Sequence, residues 1–247
     1  MKIKNIDFSQ GMPKICVPLV GKDKEELKQE LMALEKVPFD LIEWRLDCFD
    51  AIEDAKKRKE ALNLIRSYQP ESVLLATFRT ANEGGNHPTN QYETIYEDLI
   101  NTTQLDLVDV ELFLDQGCIS KVMKQAKDQG VKVVLSNHDF KATPSLEELL
   151  DRFKKMNELG GDFLKIAVMP QTKEDVLTLL EATTKAKALY SKPIISMSMS
   201  PLGLVSRICG ETFGSCVTFG SVLKPSAPGQ IQASKLKEVL QIIHEGL

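Results

Sequence analysis

A chain of 247 residues, 43% hydrophobic and 27% charged, can bury one substantial core, and its length fits one large barrel or two ordinary domains. A formal charge of -4 and a pI near 5.6 offer no basic face to nucleic acid or anionic lipid, and no apolar run approaches the roughly 20 residues of a membrane span. Five scattered cysteines without a Cys-x-x-Cys pair and three histidines far apart in sequence argue against a disulfide framework and a histidine-built metal site, so free thiols in the cytoplasm are the expectation, with no nucleic-acid or membrane partner.

The first ten residues carry Ile3, Ile6 and Phe8 and are placed as a short hairpin or lid across the amino-terminal end of the fold. From Lys14 onward, short runs rich in Val, Ile and Leu alternate with longer amphipathic stretches. Strands are predicted from Lys14 to Val20, Leu41 to Asp47, Ser72 to Arg79 and Leu107 to Phe113. Four more run from Lys132 to Asp139, Asp162 to Met169, Pro193 to Met199 and Cys216 to Ser221. Between them apolar residues recur at helical spacing, as in Leu27, Leu31 and Leu34 or Leu236, Val239, Leu240 and Ile243. Gly130, Gly160 and Gly161 fall where helices should end in a left-handed residue. Eight such repeats, with strands too apolar to face water on either side, predict a single-domain (β/α)8 barrel over residues 1–247. An open doubly wound sheet is the alternative, but Val20-Gly21-Lys22 is not its Gly-rich phosphate fingerprint.

Chemistry in a barrel sits at the carboxyl ends of its strands, so polar residues late in apolar runs are the candidates. The second strand ends in Glu43-Trp44-Arg45-Leu46-Asp47, the third in Thr77-Phe78-Arg79, the fourth carries Asp109 and Glu111, and the fifth ends in Ser136-Asn137-His138-Asp139. Lys165 lies inside the sixth, Phe163 to Met169, and costs free energy to bury as an ammonium. Burial favours the neutral amine, which attacks carbonyls to form imines; the plainer reading is an ion-paired or snorkelling lysine. His138 brings a group that titrates near neutrality to the adjacent strand, and imine formation and hydrolysis both need one. Arg45 and Arg79 are rigid forks for a carboxylate or phosphate, or equally for pairing with Glu43, Asp47 or Glu111. The stretches 80–90 and 224–230 read by composition as turns.

Taken together and in order, these segments, with Glu83-Gly84-Gly85, Lys165 to Pro170, Gly203 to Arg207, Phe213 to Ser215 and Ser226 to Gln230, resemble the type I 3-dehydroquinate dehydratases from end to end. The resemblance implies that Lys165 forms an imine with the ring ketone of 3-dehydroquinate and that His138 is the general acid and base. Glu83 would orient and polarise His138 so as to favour the protonated imidazole. Glu43, Trp44, Arg45, Arg79, Arg207, Ser226 and Gln230 would contact the substrate, with Arg207 on its carboxylate, and Met197 and Met199 would form apolar walls. No metal or organic cofactor is implied, and a homodimer is. Pro18 stands where many relatives carry serine, which puts a first-strand substrate contact in doubt. The rival readings are a class I aldolase, which should show a Gly-rich phosphate cup after the last two strands, and a silent metabolite-binding barrel, which would need neither Lys165 nor His138.

Overall fold

The computed structural model describes the chain apart from Asn86, Pro88, Thr89, Lys224, Pro225, Ser226 and Pro228. Lys2–Ile3 (β1) and Ile6–Asp7 (β2) form an antiparallel hairpin. Eight parallel strands come after it among the described residues: Lys14–Leu19 (β3), Leu41–Arg45 (β4), Val73–Thr77 (β5), Leu107–Glu111 (β6), Lys132–Asp139 (β7), Phe163–Val168 (β8), Ile194–Ser198 (β9) and Val217–Phe219 (β10). Neighbours pair in chain order from β3 to β9, and β10 returns to lie beside β3. The ring closes through a parallel bridge between Ile194 and Ser215, where the Cys216 amide donates to the Ile194 carbonyl at 2.8 Å. This is a (β/α)8 barrel, as the repeat predicts.

The outer layer comprises Lys24–Leu34 (α1), Ala55–Tyr68 (α2), Tyr92–Asn101 (α3), Gln116–Asp128 (α4), Leu146–Glu158 (α5), Lys173–Leu189 (α6), Leu204–Ile208 (α7), Gly210–Phe213 (α8) and Ala233–Glu245 (α9). Several starts are fixed by side chains that accept otherwise orphaned amides: Asp23, Asp54 and Asp115 each take two, and Thr172 with Asp175 forms a capping box. Gly130 and Gly160 end helices in the left-handed region as predicted. Gly161 does not; a side chain there would press on Leu135 at 3.1 Å. No helix among the described residues is long and apolar enough to cross a membrane.

Successive strand residues face opposite ways, which splits the core in two. Leu164 and Ile166 of β8, Val108 and Val110 of β6 and Ile42 and Trp44 of β4 pack outward against helices. Phe163, Ala167, Leu107, Val134 and Leu41 pack inside the barrel with Ile3, Ile6 and Phe8 of the hairpin segment. Phe8 meets Phe163 edge-on with ring centroids 5.1 Å apart, and Lys4 Nζ reaches Asp106 Oδ2 at 2.9 Å, just before β6. The hairpin therefore closes the amino-terminal end, where the sequence places it.

All the predicted strands but Lys132 to Asp139 run past the observed ones at their carboxyl ends, because the ladders stop at the barrel mouth and the chain turns out. Leu46–Cys48 is a 3-10 turn rather than strand, and from it Asp47 accepts the Arg79 amide at 3.2 Å. Pro18, which lacks an amide hydrogen, costs nothing in the sheet: the β10–β3 ladder ends at Phe219 and Cys16, before Pro18 would donate.

Candidate active site

The inward phase of the strands gathers Glu43 and Arg45 from β4, Thr77 from β5, Arg79 just beyond it, Asp109 and Glu111 from β6, Ser136 and His138 from β7 and Lys165 from β8. Lys165 is 3% exposed. Its Nζ lies 2.9 Å from Asp109 Oδ2, 3.8 Å from Glu43 Oε1 and 5.0 Å from the centre of the Phe219 ring. The apolar flanks that make it look isolated in sequence, Leu164 and Ile166, face the helices instead. Asp109 also accepts from Arg79 Nη2 at 2.8 Å and Ser136 Oγ at 2.5 Å. Burial alone would raise its proton affinity, but Arg79 and Lys165 outweigh burial and hold the carboxyl well below the usual range. Thr77 Oγ1 donates to Glu43 at 2.9 Å and so orients the second carboxylate toward the amine.

His138 stands one step above Lys165 along the barrel: Ser136 is in register with Lys165, and His138 with Ala167. Its Nδ1 is 2.9 Å from Glu83 Oε2, which also accepts the His138 amide at 2.9 Å. Glu83 reaches back to β7 because the chain after β5 doubles over in a 3-10 turn, Ala81–Glu83, closed by Gly84 in the left-handed region. Gly85 is required for a different reason: its amide donates to the Thr80 carbonyl at 2.8 Å, and a side chain there would lie 1.8 Å from the Arg79 carbonyl oxygen. Burial pushes the Glu83 carboxyl up to about 8, against the pull of Arg79. Burial, helped by the Arg79 and Lys165 cations, pushes His138 well below its usual range. The contact the sequence reading expects is present, while burial and the neighbouring cations disfavour the protonated imidazole. Both influences favour the neutral ring, the form a general base needs.

Arg79 is fixed by Asp109, by Glu111 at 2.8 Å and by Glu83 at 3.3 Å, while Thr80 donates to both Glu111 oxygens at 2.8 and 2.6 Å. Arg45 forks onto Asp47 with two 2.8 Å bonds. Both arginines still border a cavity of about 250 Å³ whose wall includes Glu43, His138, Lys165, Arg207 and Gln230, with Met197, Met199 and Phe140 as apolar surface. Arg207 sits on α7, which is anchored when Ser206 Oγ accepts the Ser198 amide at 2.8 Å and Thr218 Oγ1 donates to the Arg207 carbonyl at 2.7 Å. Burial pulls its guanidinium down to about 10. Below Lys165 the barrel is apolar, with Phe8, Leu75, Leu107 and Val134 around a residual space of about 10 Å³.

Trp44 does not belong to this cavity. It is 0% exposed, points outward between the sheet and the helices and meets Phe49 edge-on at 6.0 Å. Its neighbours Glu43 and Arg45 face inward, so a strand of period two must turn Trp44 away. Ser226 lies outside the described residues. Asp109 touches Lys165 more closely than any residue the resemblance singles out, and its signal was visible: Asp109 and Glu111 share one face of an otherwise apolar strand.

Residues 15–246 match the family model described as Type I 3-dehydroquinase. The 3-dehydroquinate dehydratase of Clostridioides difficile (strain 630) is 46% identical over 250 residues, covering 100% of this chain and 98% of that relative. The enzyme of that name from Listeria innocua is 46% identical over 245 residues, covering 98% and 97%. Among solved structures, the type I 3-dehydroquinate dehydratase from Clostridium difficile with covalent modified comenic acid matches at a TM-score of 0.96 and 46% identity, covering 100% of this chain and 98% of that one. The 3-dehydroquinate dehydratase from Geobacillus kaustophilus matches at 0.96 and 36% identity, covering 99% and 96%. A Vibrio cholerae 3-keto-L-gulonate-6-phosphate decarboxylase, at 14% identity and a TM-score of 0.63, shares the fold alone. A family model spanning nearly the whole chain, relatives this similar over their full length and a matching barrel leave one assignment: the chain belongs to the type I 3-dehydroquinase family.

Proposed function

We propose that the chain dehydrates 3-dehydroquinate to 3-dehydroshikimate through an imine on Lys165, with His138 moving the protons. The observation that carries this reading is the convergence of a buried lysine amine and an imidazole on one small cavity bordered by Arg45, Arg79 and Arg207. Lys165 Nζ attacks the ring ketone carbon, and loss of water from the adduct gives an iminium. The carbon next to it becomes acidic because its electron pair delocalises into nitrogen, and His138 takes that proton to leave an enamine. The enamine pair then expels the hydroxyl on the following carbon. His138 returns its proton to the departing oxygen, which leaves as water, and a second water hydrolyses the conjugated iminium to free the enone and Lys165. Asp109 and Glu43 hold the amine toward the cavity, and Glu83 holds the imidazole. Arg207 is the proposed partner of the substrate carboxylate, with Arg45, Arg79, Ser226 and Gln230 on its other oxygens. The proposal extends to a single domain and a homodimer, which the sedimentation coefficient of the purified chain tests.

The chemistry is tested by mixing the protein with 3-dehydroquinate and borohydride, then mapping the mass gain by peptide mass spectrometry. A ligand-sized gain on the Lys165 peptide that is absent in Lys165→Ala is the expected result. No gain in a folded, dehydrating enzyme would sink the covalent mechanism, and no dehydration at all would leave a binding-only barrel.

A further inference from the structure

We propose that Arg152, on α5 outside the barrel, selects which nitrogen of His138 carries the proton, acting through the Asn137 amide, and that both are positioning residues for the proton transfers. The inference rests on the reading of His138 as general acid and base. In β7 the inward residues are Ser136 and His138, so Asn137 points out toward α5, where it is 4% exposed. Arg152 Nη1 donates to Asn137 Oδ1 at 2.6 Å, and Asn137 Nδ2 donates to Glu83 Oε1 at 2.9 Å. A guanidinium has donors only, so it fixes the amide with its oxygen outward and its NH2 on Glu83. Arg152 is itself held by Glu148 of the same helix at 2.9 Å, lies over the Phe113 ring at 5.5 Å and stands 3.8 Å from Asp139.

The chain of contacts therefore runs from Arg152 through Asn137 and Glu83 to His138 Nδ1, from a helix outside the barrel to the imidazole at its mouth. A donated hydrogen bond is stronger to a carboxylate than to a neutral acid, so the Asn137 donor favours ionised Glu83. Ionised Glu83 accepts from Nδ1–H, which leaves Nε2 unprotonated on the side of His138 that lines the cavity. The opposing tendency is present in the same site. Burial favours protonated Glu83, and a Glu83 proton donated to Nδ1 would place the imidazole proton on Nε2, a tautomer unable to abstract one from substrate. One donor on Oε1 thus helps set the pH at which an incompetent base becomes a competent one. The charged groups facing His138 are Glu83 after β5, Arg79 at the end of β5, Asp109 on β6, Lys165 on β8 and Arg45 on β4, and the Asn137 and Arg152 variants keep all five residues.

The test is the nitrogen-15 spectrum of the labelled imidazoles, recorded with His87 and His244 replaced so that His138 alone is read. Above about pH 8, where Glu83 is ionised, the parent protein should show neutral His138 with its proton on Nδ1. Asn137→Leu, which removes the donor at similar volume, should move the population toward the Nε2–H form and lower kcat about 10- to 100-fold with KM changed less than about threefold. Arg152→Met should shift the tautomer in the same direction without touching the barrel interior, and Arg152→Lys should restore most of the rate. If Asn137→Leu does not fold, Arg152→Met alone decides. Retention of the Nδ1–H tautomer and the parent pH profile in folded Arg152→Met, with only a lower melting temperature, would overturn the proposal. Failure of borohydride trapping in the parent protein would instead strike the imine reading, so the two are told apart.

Discussion

A carboxyl and an imidazole that share a proton in a buried site make folding depend on pH in a way one residue can report. Glu83 has an ordinary value of 4.5 and is pushed up to about 8 chiefly by burial. Between these values the folded chain holds a proton that the unfolded chain has released. The stability Glu83 contributes is therefore fully present below about 4.5 and is lost as pH rises through about 8. His138, held below its usual range by burial, acts in the opposite sense, losing stability as pH falls through its unfolded value. Glu83→Gln keeps the shape and removes the titration, while His138 remains in both proteins. We expect the melting temperature of Glu83→Gln relative to the parent to rise from about pH 5 to about pH 9. Differential scanning calorimetry across that range checks it, and a constant difference would mean that Glu83 is ionised in the fold throughout.

At the level of a strand, period two explains both what reads directly from the sequence and what does not. A barrel strand is apolar on both faces, so hydrophobicity gives its position but not its phase. The polar residues supply the phase: Glu43 with Arg45, Asp109 with Glu111, Ser136 with His138, and Lys165 alone. By the same logic Trp44 had to face the helices, and its inclusion with its neighbours followed the motif rather than the alternation. Trp44→Phe should leave KM for 3-dehydroquinate within about twofold and lower stability by about 1–3 kcal/mol, read by steady-state kinetics and urea unfolding. A large rise in KM with unchanged stability would place the indole in the site after all. Other features were not legible in this way. Asp109 meets Lys165 across the intervening β7, so their contact depends on the stagger of three strands and not on any local pattern. Arg152 looks like one more charge on an amphipathic helix, and its tie to Asn137 appears only when α5 packs on the sheet.

Over the whole barrel, the two ends divide stability from chemistry. The mouth carries a dense set of charges, which is costly to desolvate and is tolerated where Arg79, Asp109, Glu111 and Lys165 pair with one another or with a shared partner. The opposite end is filled by the hairpin segment, whose Phe8 is 1% exposed and packs on Phe163 beneath the layer that holds Lys165. The substrate-sized cavity lies on the other side of Lys165, away from the hairpin segment, whose residues are not among its lining. Phe8→Ala should cost about 3–5 kcal/mol through lost burial and the void left behind. In a chain of this size that lowers the melting temperature by roughly 6–20 °C. Below the new transition, kcat and the extent of borohydride trapping on Lys165 should match the parent, because no group that touches the amine or the imidazole has moved. A kcat that drops in step with stability at low temperature would show instead that the plug sets the environment of Lys165, since a void there would open the apolar layer beneath its side chain.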